Sequence, residues 1–413
     1  MLAFVGPSVA SVSRRTLPRL RHLATWRCAE PIVIFESDDW GMERHDCSAF
    51  LRRYGEPGNW AHEELETPED MTYLYELLNQ HVDVNGRPAC FTANFVVANP
   101  DYDTIARSHF QDYAELPISH MDDLKSIWLE GVARRVFFPQ YHARAHFWPQ
   151  RWLGDLIGAV PGSRELFDHR CHGGLSLIKG QGWRYHSEYM DWNSGHYLSS
   201  QDLTAWLKGG LRIFEHVFCN VSLSTIPPHY ICTPIQLSTW KQLGVRFVQG
   251  AGYRILRQRN GSALVLAHVL GEHSRQGLLF LSRNVKFEPH QHKTANGSLG
   301  TVLREMISHF RNRIPVVIDT HRINYTGHWR GDAIRELGQL LAALRPFRPR
   351  FLTTVELGQA IAEGGRYKDV WTGEVRSLSV LDGTSRHMLR AWLSRYNQYL
   401  LKKYTFDNET GTT

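Results

Sequence analysis

From residue 30 onward, short apolar runs alternate with longer helix-patterned ones, and this alternation constrains the fold of the 413-residue chain more than any other feature. The strand candidates are Ile32–Ser37, Ala89–Val97, Arg135–Tyr141, Tyr230–Thr233, Val245–Gln249, Leu278–Ser282, Val316–Thr320 and Phe351–Thr353. Each is brief and rich in β-branched or aromatic residues, and several follow a proline or glycine. Helical patterns lie between them at Asp70–His81, Leu203–Phe218, Leu237–Leu243, Leu303–Arg311 and Asp332–Leu344. Such alternation predicts an α/β fold, with a parallel sheet wound or closed into a barrel. Residues 148–202 fit no strand–helix unit and read as an insertion over one end of the barrel. Residues 366–413 read as a tail, a helix over Arg386–Lys403 followed by a polar end. One barrel over residues 30–365, with these additions, is the economical organisation.

Composition narrows the function classes. The net charge of +6 is small for this length and its basic residues are scattered, so no nucleic-acid-binding face is expected. Apolar runs all fall short of the ~20 residues of a membrane span. Six cysteines without a C-x-x-C pair fit neither zinc-finger spacing nor a disulfide framework, which points to a reducing, cytoplasmic setting. Residues 1–29 carry five arginines and no acid, the basic residues following the apolar stretch rather than preceding it. That order is unlike a secretory signal and leaves an organellar presequence open.

Three polar clusters close predicted strands, at the rim where barrel enzymes carry their chemistry. The first is F-E-S-D-D-W-G, residues 35–41. Asp38 and Asp39 are adjacent, so in extended backbone they point apart, and both face one site only if the chain turns; Gly41 suits a turn. Glu36, in mid-strand, is expected to have a structural partner. The second cluster is H-A-R-A-H, where His142 and His146 on a helical turn could grip one metal ion. With 22 histidines in the chain, about one such pair is expected by chance, so alone it means little. The third is V-V-I-D-T-H-R-I-N-Y, residues 316–325, whose strand delivers Asp319 and His321 on one face; His321 could act as general acid with a carboxylate fixing its tautomer. Jointly the clusters offer two histidines and a carboxylate for a metal, a second carboxylate as base and a separate histidine as acid. That ligand set suits catalytic zinc and also non-haem iron(II).

The order of these clusters resembles the polysaccharide deacetylase (NodB-homology) superfamily over residues 30–360, and most closely a little-characterised branch of it. The resemblance implies a distorted (β/α)7-type barrel, a divalent metal, zinc by expectation, and removal of an acetyl group from an N-acetylated sugar or glycan. D-D-W-G stands for the family's D-D-G, which makes Asp38 the base and Asp39 the metal ligand. H-A-R-A-H stands for H-[ST]-x-x-H, with His142 and His146 as ligands and Ala143 departing from the pattern. His321 matches the closing histidine. I-C-T-P-I, residues 231–235, stands where the family carries R-x-x-P; the arginine that steadies the base is missing, with Arg144 or Arg322 as substitutes. No fourth motif is evident. Among residues beside the motifs, Trp40, Tyr141, Phe147, Trp148 and Tyr325 could stack on a sugar ring, and Asn94 and Asn99 could bind its hydroxyls. Three rival readings stand beside this one: a glycoside hydrolase pairing Asp38 with Asp191, an iron-dependent oxygenase, and a sugar-binding barrel without catalysis.

Overall fold

The computed structural model describes residues 21–178, 181, 184–291 and 298–403. Strand β1, Ile32–Trp40, is buried at every position, as a central strand of a parallel sheet must be. Eight more strands join it: β2 (Phe91–Val96), β3 (Phe137–Ala143), β4 (Ser224–Thr225), β5 (Phe247–Gly250), β6 (Leu279–Ser282), β7 (Val285–Lys286), β8 (Val316–His321) and β9 (Arg350–Phe351). Their order is β6-β5-β4-β3-β2-β1-β8-β7, with β9 beside the start of β1, and all these pairings are parallel. Helices cross between them: α1 (Pro68–Asn79), α2 (Asp122–Ala133), α3 (Ser200–Phe218), α4 (Pro234–Gln242), α5 (Leu299–Arg311) and α6 (Arg330–Leu344), followed by α7 (Thr354–Ala362).

The two ends of this path, β6 and β7, are joined by Arg283 and Asn284 alone. The backbone N–H of Arg283 donates to Gly250 O at the end of β5, and that of Asn284 donates to Val317 O in β8. The chain itself therefore closes the sheet into a barrel, distorted where β4 is only two residues long. Alternate residues of β1 face its two sides. Val33 and Phe35 pack with Leu74, Trp128 and Leu340 of the helix layer. Ile32 and Ile34 meet Phe138, Leu281 and Val317 inside the barrel. The same period carries Glu36 and Asp38 inward, above that apolar floor.

The expected strand at Tyr230–Thr233 is absent. Pro227 and Pro228 lack N–H donors, and Pro228–Tyr230 forms a 3-10 turn instead; the barrel takes Ser224–Thr225 as its strand there. A hairpin, Tyr253–Arg257 with Ala263–Ala267, and the helices α2 and α7 are additional to the expected elements. The tail forms a helix at Thr384–Lys403, close to the expected span. Residues 21–28 pack against tail and barrel: Trp26 and Cys28 are buried, Cys28 bridges Val380, and Arg390 donates to Ala24 O. The rest of the basic N-terminal segment, residues 1–20, lies outside the described residues. Among the described residues no helix is long and apolar enough to cross a membrane.

Candidate active site

Two β-bulges position the carboxylates and the first histidine. Between Ser37 and Trp40, β1 has one residue more than its partner β2, and between Tyr141 and Ala143, β3 has one more than β2. An extra residue turns side chains that would alternate toward the same side. Asp39 takes φ 73°, which brings its carboxylate and that of Asp38 to one cavity, so the turn occurs at the aspartate itself as well as at Gly41. His142 is the extra residue in β3. His146 does not follow on a helical turn, as its spacing suggested. It lies in a bend with φ 69°, held by Glu188, whose carboxylate accepts the backbone N–H groups of Arg144, Ala145 and His146 at 3.1, 2.6 and 3.0 Å.

The three side chains converge. Asp39 Oδ1 lies 3.4 Å from Nε2 of both His142 and His146. Ligands held at ~2.0–2.2 Å around a tetrahedral ion are about 3.4 Å apart, so this spacing suits such an ion. Oδ1 is buried with no hydrogen-bond partner among the described residues. His142 Nδ1 donates to Ile226 O at 2.8 Å, which leaves the Nε2 lone pair facing Asp39. Burial holds the His146 imidazole well below its usual range, in the neutral form a ligand needs. These donors fit a divalent metal.

Beside them, Arg283 grips Asp38 through Nη1–Oδ2 at 2.8 Å and Nη2–Oδ1 at 2.6 Å, while also bonding Glu36 at 2.7 Å and Asp319 at 2.5 Å. Burial raises the Asp38 carboxyl, and Arg283 overrides this to hold it below the usual carboxylate range. Asn94 donates to Asp38 Oδ1 and Gln249 Oε1, each at 2.8 Å, and Gln249 Nε2 donates to Ser224 Oγ at 3.0 Å, giving this carboxylate an amide floor. Asp38, Asp319 and His321 also cluster closely enough to suggest a second metal, but the Arg283 guanidinium already supplies the cation there. His321 closes β8 opposite Asp38 in register, its Nε2 3.8 Å from Asp38 Oδ2. Its Nδ1 lies 2.5 Å from Glu288 Oε1. Burial works against charge on this imidazole, but Glu288 more than compensates and raises it to about 10.

Asp38, Asp39, His142, His146, Asp319 and His321 face a cavity of about 600 Å³, walled also by Trp60, Tyr230, His172, Ser176 and Tyr185. No protein-family profile matches the chain, and no curated protein matches it. Solved structures similar to it include a candidate polysaccharide deacetylase from Mycobacterium smegmatis, at 12% identity and TM-score 0.38, covering 82% of this chain and 96% of that one. A CE4-family pseudoenzyme from Bacillus anthracis shares 8% identity at TM-score 0.35, over 80% of this chain and 66% of its own. A GH57-type branching enzyme from the hyperthermophilic archaeon Pyrococcus horikoshii shares 11% at TM-score 0.37, over 78% and 69%. Scores this low carry no functional argument. The site must speak for itself.

Several residues expected to touch substrate do not line the cavity. Trp40 is fully buried and donates to Ser37 Oγ at 3.0 Å, Tyr141 packs against Gly210 in the core, and Tyr325 pairs with Thr320 at 2.9 Å. Asn94 supports Asp38 from below, and Asn99 holds Gly41 O at 2.8 Å. Arg144 pairs with Glu115 beneath the Trp206 ring, and Arg322 is enclosed with Glu66 and Met42 O, so neither substitutes for the missing arginine. At Trp40 and Tyr141 the bulges decide this, because they turn the motif residues inward and leave these neighbours facing the core. Of the aromatics, Phe147 reaches the cavity and Trp148 does not. Asp191 bonds Asn193 N and Ser194 Oγ in its own turn, away from the cavity, which removes its proposed pairing with Asp38. Sequence reasoning passed over Arg283, Glu288 and Glu188. Arg283 carried a usable signal, since it directly follows the strand L-F-L-S and so sits at the same rim as the motifs.

Proposed function

We propose that this chain is a metal-dependent hydrolase that removes an acetyl or related acyl group from an amino sugar or glycan. One observation carries the reading: Asp39, His142 and His146 converge beside the Asp38 carboxyl and the His321 imidazole on one cavity. A divalent ion held by the first three, zinc by the chemistry of the donor set, would supply Lewis-acid activation of water and of the acyl carbonyl. Asp38, kept ionised by Arg283, is ready to take a proton from the attacking water. His321, kept protonated by Glu288, gives its Nε2 proton to the departing amine, which otherwise leaves as a poor anionic group. Trp60, edge-on to His321 at 5.1 Å, offers a sugar an apolar surface next to the acid.

The missing motif arginine favoured a barrel that binds without catalysis; Arg283 supplies that function from the link between β6 and β7 and removes the motive for that reading. An oxygenase would use the same three ligands, but it has no need of a matched base and acid. The test measures metal content and acetate release on a panel of N-acetylated sugars. The expected result is one equivalent of divalent metal, lost in His142→Ala and His146→Ala, with acetate release that stops on chelation and returns with metal. Full metal content in those variants, or no acetate from any sugar in the panel, would overturn the proposal.

A further inference from the structure

The insertion supplies a wall of the cavity, and two of its polar groups there have no use in the chemistry above. His172 is 1% exposed, with its ring 4.8 Å from that of Phe147. The Tyr102 hydroxyl accepts the backbone N–H of His172 at 3.3 Å and lies 3.2 Å from its Nδ1. Taking Nδ1 as the acceptor gives the hydroxyl proton its partner and assigns the ring proton to Nε2. Burial, with Arg44 and Arg322 nearby, holds the imidazole well below its usual range, so it is a neutral donor. Its Nε2 is buried without a partner among the described residues, and so is Oγ of Ser176, which lines the same cavity. Buried polar atoms left unpaired are costly, and two on one wall call for a ligand that pairs both.

We propose that His172 and Ser176 form a sugar subsite, with Nε2–H donating to one oxygen of the substrate and the Ser176 hydroxyl pairing with another. Both groups are uncharged, and Arg44 beside them is already paired with Glu63, so the subsite selects neutral hydroxyl or ring oxygens over an anionic substituent. The inference rests on the amino-sugar reading of the cavity and names what its insertion recognises.

The experiment is calorimetric titration of the full, metal-loaded protein with two probes. N-acetylglucosamine and N-cyclohexylacetamide share an acetamido group on a six-membered ring, but only the first has hydroxyls. The parent should bind the sugar at least about ten-fold more tightly. His172→Phe keeps a ring against Phe147 and loses the donor, Ser176→Ala loses the hydroxyl, and Tyr102→Phe releases the tautomer. Each should weaken sugar binding by about three- to ten-fold and leave N-cyclohexylacetamide affinity and metal content unchanged. If His172→Phe fails to fold, the other two variants carry the comparison. Equal affinity of parent and variants for the sugar would overturn the subsite, as would equal loss for both probes or a parent that prefers neither. Sugar binding that depends on His172 without any acetate release would leave the subsite standing and sink the hydrolase reading. Acetate release with unchanged sugar affinity in the variants would do the reverse.

Discussion

Arg283 and Asp38 meet in a two-pronged ion pair, Nη1 to Oδ2 and Nη2 to Oδ1, although 245 residues separate them in the chain. The arginine occupies the two-residue link that closes the barrel, so its backbone serves closure while its side chain sets the charge state of Asp38. A lysine there would keep the charge but lose the fork. Arg283→Lys should therefore lower turnover and move the acid limb of the pH–rate profile to higher pH, because Asp38 then needs a higher pH to ionise. Arg283→Ala strands the buried Glu36 and Asp38 and the half-buried Asp319, and should cost about 3–5 kcal/mol of stability by denaturant titration. An unmoved acid limb in Arg283→Lys would show that Asp38 is not the titrating base.

Glu288 and His321 should govern the basic side of the profile. The folded imidazole is raised to about 10, above the ~6.5 of an unfolded histidine. Its stabilising contribution is therefore complete below pH ~6.5 and is lost as pH rises through about 10. Glu288→Gln should flatten that part of the thermal stability curve and shift the basic limb of activity to lower pH. Thermal melts and rates between pH 6 and 10 read both. A basic limb that stays in place would leave His321 without the acid role.

The adjacent aspartates should separate cleanly. Asp38→Asn should retain its metal and lose ~10²–10⁴-fold in turnover, the usual contribution of a positioned base. Asp39→Asn should lose metal affinity first, measured by competition with a chelating dye. The reverse pattern would exchange their roles.

His321→Ala should slow amide hydrolysis more than ester hydrolysis, since an alkoxide departs more readily than an amide anion. Matched N-acetyl and O-acetyl sugars make the comparison, with metal content as the control. Equal losses on both would indicate positioning instead of acid catalysis.

Away from the site, Gly131 in α2 tests the packing between helix layer and barrel. A Cβ there would lie 2.3 Å from the Tyr75 ring and 2.8 Å from Phe137 Cβ. Both neighbours are fully buried, so neither can yield freely. Gly131→Ala should destabilise by about 1–3 kcal/mol through overpacking, with metal content unchanged. A melting temperature equal to the parent's would mean the helix can shift outward.

What the sequence determined alone was local. Strand–helix alternation, and apolar runs ending in D-D, H-A-R-A-H or D-T-H, are properties of neighbouring residues, and they singled out Asp38, Asp39, His142, His146 and His321 before any fold was known. Tertiary structure decided what faces what. One extra residue in β1 and another in β3 reverse the alternation, turning the motif side chains into the cavity and leaving Trp40 and Tyr141 in the core. No short-range pattern marks such a bulge. The partners of the charged groups were equally hidden: Glu288 lies 33 residues from His321, and Arg283 lies across the barrel seam from Asp38. Pairings of that kind arise when the sheet closes, because only closure brings the end of β6 over the end of β1.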